Sequence, residues 1–239
     1  MTLGAPSRLD ASALIDLADR ASVLSPGQWS VALLQRAYPE AARATLLALP
    51  VGARDRLVLA IRARLRSGPL RAEPVCEACG EIYELALDPA QFGLAGEALW
   101  PDLGYRKVAI GDREAVVRPV TLGDILEVES IAEPETAAQM LAAQVQEATV
   151  DLPLDALAEA LEALDPGADV WLETVCPECG ARQSVAFDAV HFVAHELRQI
   201  SRQILRDVVD IARVFHWSEA EILALPEHRR AFYVAEALA

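Results

Sequence analysis

Two short segments, one hundred residues apart, restrict the folds open to this chain more than any other feature. Val75-Cys76-Glu77-Ala78-Cys79-Gly80 and Val175-Cys176-Pro177-Glu178-Cys179-Gly180 align at an offset of one hundred. The match extends to Ala86 with Ala186, Asp88 with Asp188 and Phe92 with Phe192, and upstream to Glu73 with Glu173. Leu49-Pro50 and Leu152-Pro153 each precede an amphipathic helical pattern. The repeating unit therefore reads as helix, strand, knuckle, strand, and it occurs twice.

The spacing has a chemical reason. Two residues between thiolates let both sulfurs approach one ion at about 2.3 Å, and Gly after the second Cys permits the tight turn. Each knuckle supplies two ligands, and a tetrahedral structural site needs four. Cys76, Cys79, Cys176 and Cys179 are thus expected to hold one structural Zn2+, which uses all four cysteines of the chain. Binding of this kind contributes roughly 10–16 kcal/mol, enough to lock two distant halves of a chain together. A site closed by four thiolates leaves no position for water, so such a metal would not be catalytic.

Three rival readings apply to the same residues. A redox CxxC should follow a buried strand and open a helix, whereas Gly80 and Gly180 lead into alternating, strand-like sequence. The cysteines could instead be buried thiols without a metal. Cys176, Cys179, His191 and His195 approach the spacing of a two-cysteine, two-histidine finger. Against the finger, His191 falls in a first helical turn, Gln183 stands where a core aromatic is expected, and Gln91 occupies the place matching His191. It would also leave Cys76 and Cys79 without partners.

Around the knuckles the pattern is mostly helical. Ser25-Pro26-Gly27-Gln28 reads as a capping box with Pro in the first turn. Val51 to Arg66 places Leu57, Leu59, Ile61 and Leu65 among arginines, and Ser67-Gly68-Pro69 ends that helix. The basic strip from Arg54 to Arg71 reads as a solvated helix face, with an acidic partner or the chain's own acids as the other option. Glu81 to Leu87 alternates like a strand. Tyr105 to Ile110 and Arg113 to Arg118 flank Gly111-Asp112 as a hairpin. Thr121 with Asp124 caps a helix from Leu122, and helical patterns follow over 137–145 and 154–164. Val190, Val193, Leu197, Ile200, Ile204, Val208, Ile211 and Phe215 form one continuous apolar stripe on a long helix. Ser218 to Glu221 is another capping box, and Pro226 opens a last helix.

The expected class is α+β and mostly helical, with N- and C-terminal helices around a small zinc-ribbon-like module made of two knuckle hairpins. The divisions are a helical region over 1–70, the ribbon-like module over 71–100 and 168–189, a hairpin and helical insert over 101–167, and C-terminal helices over 190–239. Phe215, Trp217, Phe232 and Tyr233 end the chain with either a self-packed cluster or an anchor patch for a partner.

Net charge is −15 and pI about 4.7, a balance that repels nucleic acid and anionic lipid at long range. Residues 1–20 do not read as a signal peptide, and no apolar run reaches the length of a membrane span. Four cysteines without a disulfide framework fit a reducing cytoplasm. His191, His195, His216 and His228 all lie in the C-terminal helical part, away from any evident nucleophile. Neither a phosphate-cradling glycine loop nor a serine elbow is visible. The expectation is a non-enzyme with no small-molecule substrate.

The Arg-rich helix, CxxCG, hairpin, Arg118-Pro119-Val120-Thr121 step and second CPxCG together resemble small proteins of contractile-tail gene clusters. These belong to contractile-tailed phages and extracellular contractile injection systems. The run from Phe215 to Leu225, FHWSEAEILAL, is similar to a segment of baseplate-associated proteins there. The resemblance spans about Leu49 to Leu238 and implies a structural or assembly factor of the baseplate hub, with protein subunits of the tail as partners. Of the site residues it carries over only the four cysteines. The alternative is a zinc-ribbon protein that binds nucleic acid or regulates.

Overall fold

The structure is a computed structural model that describes residues 3–89, 104–110, 113–148, 150 and 152–239. Gln91, Phe92 and the Gly111-Asp112 turn of the sequence reading lie outside the described residues. The fold is mixed α+β with helix predominant.

The first four helices are α1 (Ala11–Arg20), α2 (Pro26–Ala37), α3 (Arg43–Leu47) and α4 (Val51–Leu65). Ser25 and Gln28 form the expected capping box on α2, with Pro26 in its first turn. These helices pack with the N-terminal half of α8 (Ala189–Phe215), where Trp29, Leu33, Leu34, Val58, Val193 and Leu197 are buried together. Asp188 caps α8 by accepting from the N–H of His191 at 2.8 Å. The apolar stripe accounts for the helix's 27 residues. Its first half closes the main core. Farther along, Val208 and Ile211 meet Ile222 of α9 (Glu219–Leu223), with Tyr233 and Val234 of α10 (Glu227–Ala237) packed against them. Phe215, Trp217 and Tyr233 stack on one another there with ring centroids 4.8–5.5 Å apart. Most of the aromatic end is therefore self-packed, and Phe232 is left exposed.

Strands β1 (Leu70–Ala72) and β2 (Leu85–Leu87) pair antiparallel around the first knuckle. β5 (Trp171–Val175) and β6 (Arg182–Ala186) do the same around the second, in five consecutive pairs. The first hairpin is shorter than its alternation suggested. Tyr83 N–H donates to the Pro74 carbonyl at 3.2 Å, but proline has no N–H to complete the pair, so the ladder is interrupted. Its counterpart Thr174 has one, and the second ladder runs unbroken.

The remaining hairpin, β3 (Arg106–Ile110) with β4 (Arg113–Val117), has the expected register, Ile110 facing Arg113. It forms a second small core with α6 (Pro134–Val145) and α7 (Leu154–Leu164), around Ile110, Val117, Val145 and Leu157. Between them, α5 (Leu122–Val128) starts on a capping box of Thr121 and Asp124. Arg118 grips the same carboxylate through two nitrogens at 2.6 and 2.9 Å and donates to the carbonyls of Pro119 and Gln144. Bidentate pairing of this kind sets direction as well as energy. Burial works against the charged form of Asp124, yet the hydrogen bonds from Arg118 and Thr121 hold its carboxyl below the ordinary range.

The Arg54–Arg71 strip is not simply a solvated face. Arg62 is buried and paired with buried Glu196 of α8 at 2.8 and 3.0 Å. The same guanidinium donates to the carbonyls of Arg66, Gly68 and Pro69. Arg62 thereby ties the end of α4 and the entry to β1 onto the long helix that follows the second repeat. At the other end of α4, Gly52 N–H donates to Asp165, which follows α7, at 2.8 Å. That carboxylate satisfies a donor that Pro50 at the cap cannot serve. Among the described residues, no helix is long and apolar enough to cross a membrane.

Candidate metal centre

Each knuckle is built by the same two backbone bonds. Cys76 N–H donates to Glu81 O and Gly80 N–H to Cys76 O, at 2.7 and 2.8 Å; Cys176 and Gly180 repeat the pattern with Ala181 O and Cys176 O at 2.9 and 3.0 Å. The turn closes only because Gly80 and Gly180 take positive φ, 77° and 72°, a region that costs a residue with Cβ. The repeat seen in sequence is thus a repeat of local geometry.

The two knuckles face each other. Ligand atoms of Cys76, Cys79, Cys176 and Cys179 all lie within 4.8 Å of one another. The Cys76–Cys179 and Cys79–Cys176 sulfur separations are 3.6 and 3.8 Å. Four sulfurs at about 2.3 Å from a tetrahedral ion are separated by about 3.8 Å along each edge. The donor set therefore fits a tetrahedral thiophilic cation. Neither His191 nor His195 belongs to the group; both are exposed on α8, and His195 meets Gln199 at 2.9 Å.

Burial is arranged in pairs. Cys76 and Cys176 are enclosed with Tyr83, while Cys79 and Cys179 reach the surface. All four are free thiols. The N–H groups of Cys79 and Ala78 draw the Cys76 thiol down to about 7 against burial. The Glu81 N–H favours the Cys79 thiolate, but the sulfurs of Cys179 and Cys76 push that thiol up to about 12. Cys179 is likewise raised: the Ala181 N–H and Cys79 favour its thiolate, while burial and the sulfurs of Cys76 and Cys176 oppose it. The protein's own dipoles support one thiolate readily. Thiolates held this close repel one another, and a cation among them offsets that repulsion.

Sequence reasoning missed the polar support. Gln183 reaches from β6 across to the first knuckle, accepting from Glu77 N–H at 3.0 Å. The backbone donor fixes which end of the amide is the oxygen. Its Nε2 then donates to Val75 O at 3.2 Å and Tyr83 Oη at 3.1 Å. Tyr83 Oη–H donates to Thr174 Oγ1 at 2.6 Å, and Thr174 Oγ1–H donates to the Gln183 carbonyl at 3.4 Å. Every polar group in this ring is satisfied. The only hint in the sequence was the glutamine itself, polar where an aromatic was expected. No protein-family model, curated protein or solved structure matches the chain.

Proposed function

We propose that the chain is a structural or assembly protein whose two halves are stapled by one Zn2+ held by Cys76, Cys79, Cys176 and Cys179. The convergence of four sulfurs from two distant knuckles carries this reading. Zinc is favoured because four thiolates at tetrahedral spacing suit a borderline-soft ion with no geometric demand of its own. With all four positions taken by protein, the ion supplies cross-linking rather than Lewis acidity. The two hairpins around it would then act as one small ribbon-like module.

The resemblance of the Arg118–Thr121 step, the knuckles and the Phe215–Leu225 run to contractile-tail proteins gives the staple a setting. The chain is read as an adaptor or chaperone of a phage-tail-like baseplate, docking other subunits rather than transforming a substrate. Its acidity supports protein over nucleic acid as partner.

Co-expression with the sheath, tube and spike subunits of a contractile-tail gene cluster tests this reading. The expected result is stoichiometric co-purification with at least one baseplate or hub subunit, with zinc present. Recovery without any tail component, together with retention on heparin at moderate salt, contradicts it in favour of a nucleic-acid-binding zinc protein.

A further inference from the structure

One side of α8 is basic in a chain whose net charge is −15. At about 100° per residue, Arg198, Arg202, Leu205, Arg206, Val209 and Arg213 fall in one sector about 100° wide. The core residues Leu197, Ile204, Val208 and Ile211 lie on the opposite side of the helix. Leu205 and Val209 are 39% and 45% exposed; Arg202, Arg206 and Arg213 are exposed, and Arg198 is half-buried. Among the described residues, none of these four arginines has an ion pair. Of the carboxylates on α8, Glu196 is buried against Arg62 and Asp207 holds Arg230. Asp210 stands at the border of the sector and pairs with neither Arg206 nor Arg213. Like charges four residues apart repel on a helix, so Arg198, Arg202 and Arg206 form a ladder that costs stability while uncovered.

Helix α7 carries the opposite pattern and has no basic residue. Leu157 turns into the second core. Asp155, Glu159 and Glu162 share the far side of the helix, all exposed, with the small Ala158 and Ala163 beside them. These three carboxylates also lack an ion pair among the described residues. Glu162 lies in the last turn, where the helix dipole disfavours a negative charge. At about 1.5 Å per residue, the acids span about 10 Å and Arg198 to Arg206 about 12 Å, so the two ladders match in length. Within the chain, α7 packs on α6 and β3, and α8 packs on α1, α4 and α10. A phosphate backbone could pair with the arginines but would leave Leu205 and Val209 in water. A bilayer calls for larger apolar anchors than these two.

We propose that the basic stripe of α8 docks α7 of a second copy of this chain. The arginines pair with Asp155, Glu159 and Glu162, and Leu205 and Val209 are covered by the Ala158 and Ala163 surface. Facing the ladders relieves the repulsion within each, and small residues on α7 let the helices approach closely. The charges set register and partner choice. No metal ligand lies on either face, so the contact goes beyond the zinc-staple reading and does not rest on it.

Sedimentation velocity of the full chain over a range of concentrations tests it, with two charge-reversal variants. One carries Arg202→Glu with Arg206→Glu, the other Glu159→Arg with Glu162→Arg. The parent should self-associate, and each variant alone should do so about tenfold or more weakly, because like charge then faces like. Mixed in equal amounts, the two variants should recover association, since both α7–α8 contacts between them pair opposite charges. Glu159→Gln with Glu162→Gln should weaken association by less than the reversal does. Thermal midpoints near the parent's establish that the exposed substitutions leave the fold intact. A parent that stays monomeric overturns the proposal, as does a mixture no better than its components. Association lost in the α8 variant but kept in the α7 variant means that another acidic surface fills the stripe, and refutes α7 as its occupant. A monomeric parent retained on heparin through Arg202 and Arg206 gives the stripe to a polyanion instead.

Discussion

Gln183 Nε2 donates to Tyr83 Oη at 3.1 Å, and these two residues occupy the same place in the two repeats. Divergence at this pair is what interlocks the units. A second tyrosine at 183 would bring one hydroxyl to a point where three groups need partners: Glu77 N–H, Val75 C=O and Tyr83 Oη. Glutamine serves all three and so fixes the first knuckle against the second hairpin, next to the sulfurs.

Removing that support should loosen the metal without removing a ligand. For Gln183→Ala we expect zinc affinity to fall about 10–100-fold, the usual effect of losing an outer-shell partner, as read by competition with a chromophoric chelator. An unchanged affinity would show the clasp to be incidental. Tyr83→Phe removes the hydrogen bond that the buried Thr174 Oγ1 accepts and one acceptor of Gln183 Nε2, and should cost about 1–2 kcal/mol in a denaturant melt.

The Arg62–Glu196 pair should be far more sensitive to single than to double replacement. Arg62→Met leaves Glu196 buried with no counter-charge and should destabilise by about 3–5 kcal/mol. Arg62→Met with Glu196→Leu removes both charges and should recover part of that loss. Recovery stays incomplete because three carbonyls, of Arg66, Gly68 and Pro69, still lose their donor. Equal losses in the single and double variants would show that the carbonyl contacts, not the ion pair, matter.

Asp124 gives a pH signature. Its carboxyl lies below the ordinary range in the folded chain, so folding favours the ionised form. The contribution is complete above the unfolded value of about 3.9 and fades as pH falls through the lower folded value. Between about pH 4 and more acid conditions, the parent should therefore lose stability more steeply than Asp124→Asn, which has no proton to gain there. Parallel slopes in denaturant midpoints across that range would contradict this assignment.

Gly52 should not tolerate a side chain. A Cβ there would collide with Asp165 Oδ1 and lie 2.7 Å from the backbone of Gly167. Gly52→Ala should cost about 1–3 kcal/mol through crowding and also weaken the Asp165 cap on α4. A thermal midpoint equal to the parent's would mean that the loop after α7 yields freely.

What could be read from the sequence was local. Ser25, Thr121 and Ser218 announced their helices because a capping box closes within four residues, and the α8 stripe followed from a 3.6-residue period. The knuckles were legible because metal geometry dictates their spacing. The long-range contacts were not: Glu196 lies 134 residues from Arg62, and Asp165 lies 113 from Gly52. No periodicity links such partners, and Arg62 sits among arginines of which others do face solvent. The shortened first hairpin was readable in principle from Pro74, a residue with no N–H, but only once the register with Tyr83 was known.

Metal content per chain tests the central claim most directly, in the parent and in separate Cys76→Ser and Cys176→Ser variants. The shared staple predicts one zinc in the parent and its loss from both variants. Zinc retained by Cys76→Ser but lost from Cys176→Ser would mean that the second knuckle binds its ion without the first, and would contradict a site built from both halves.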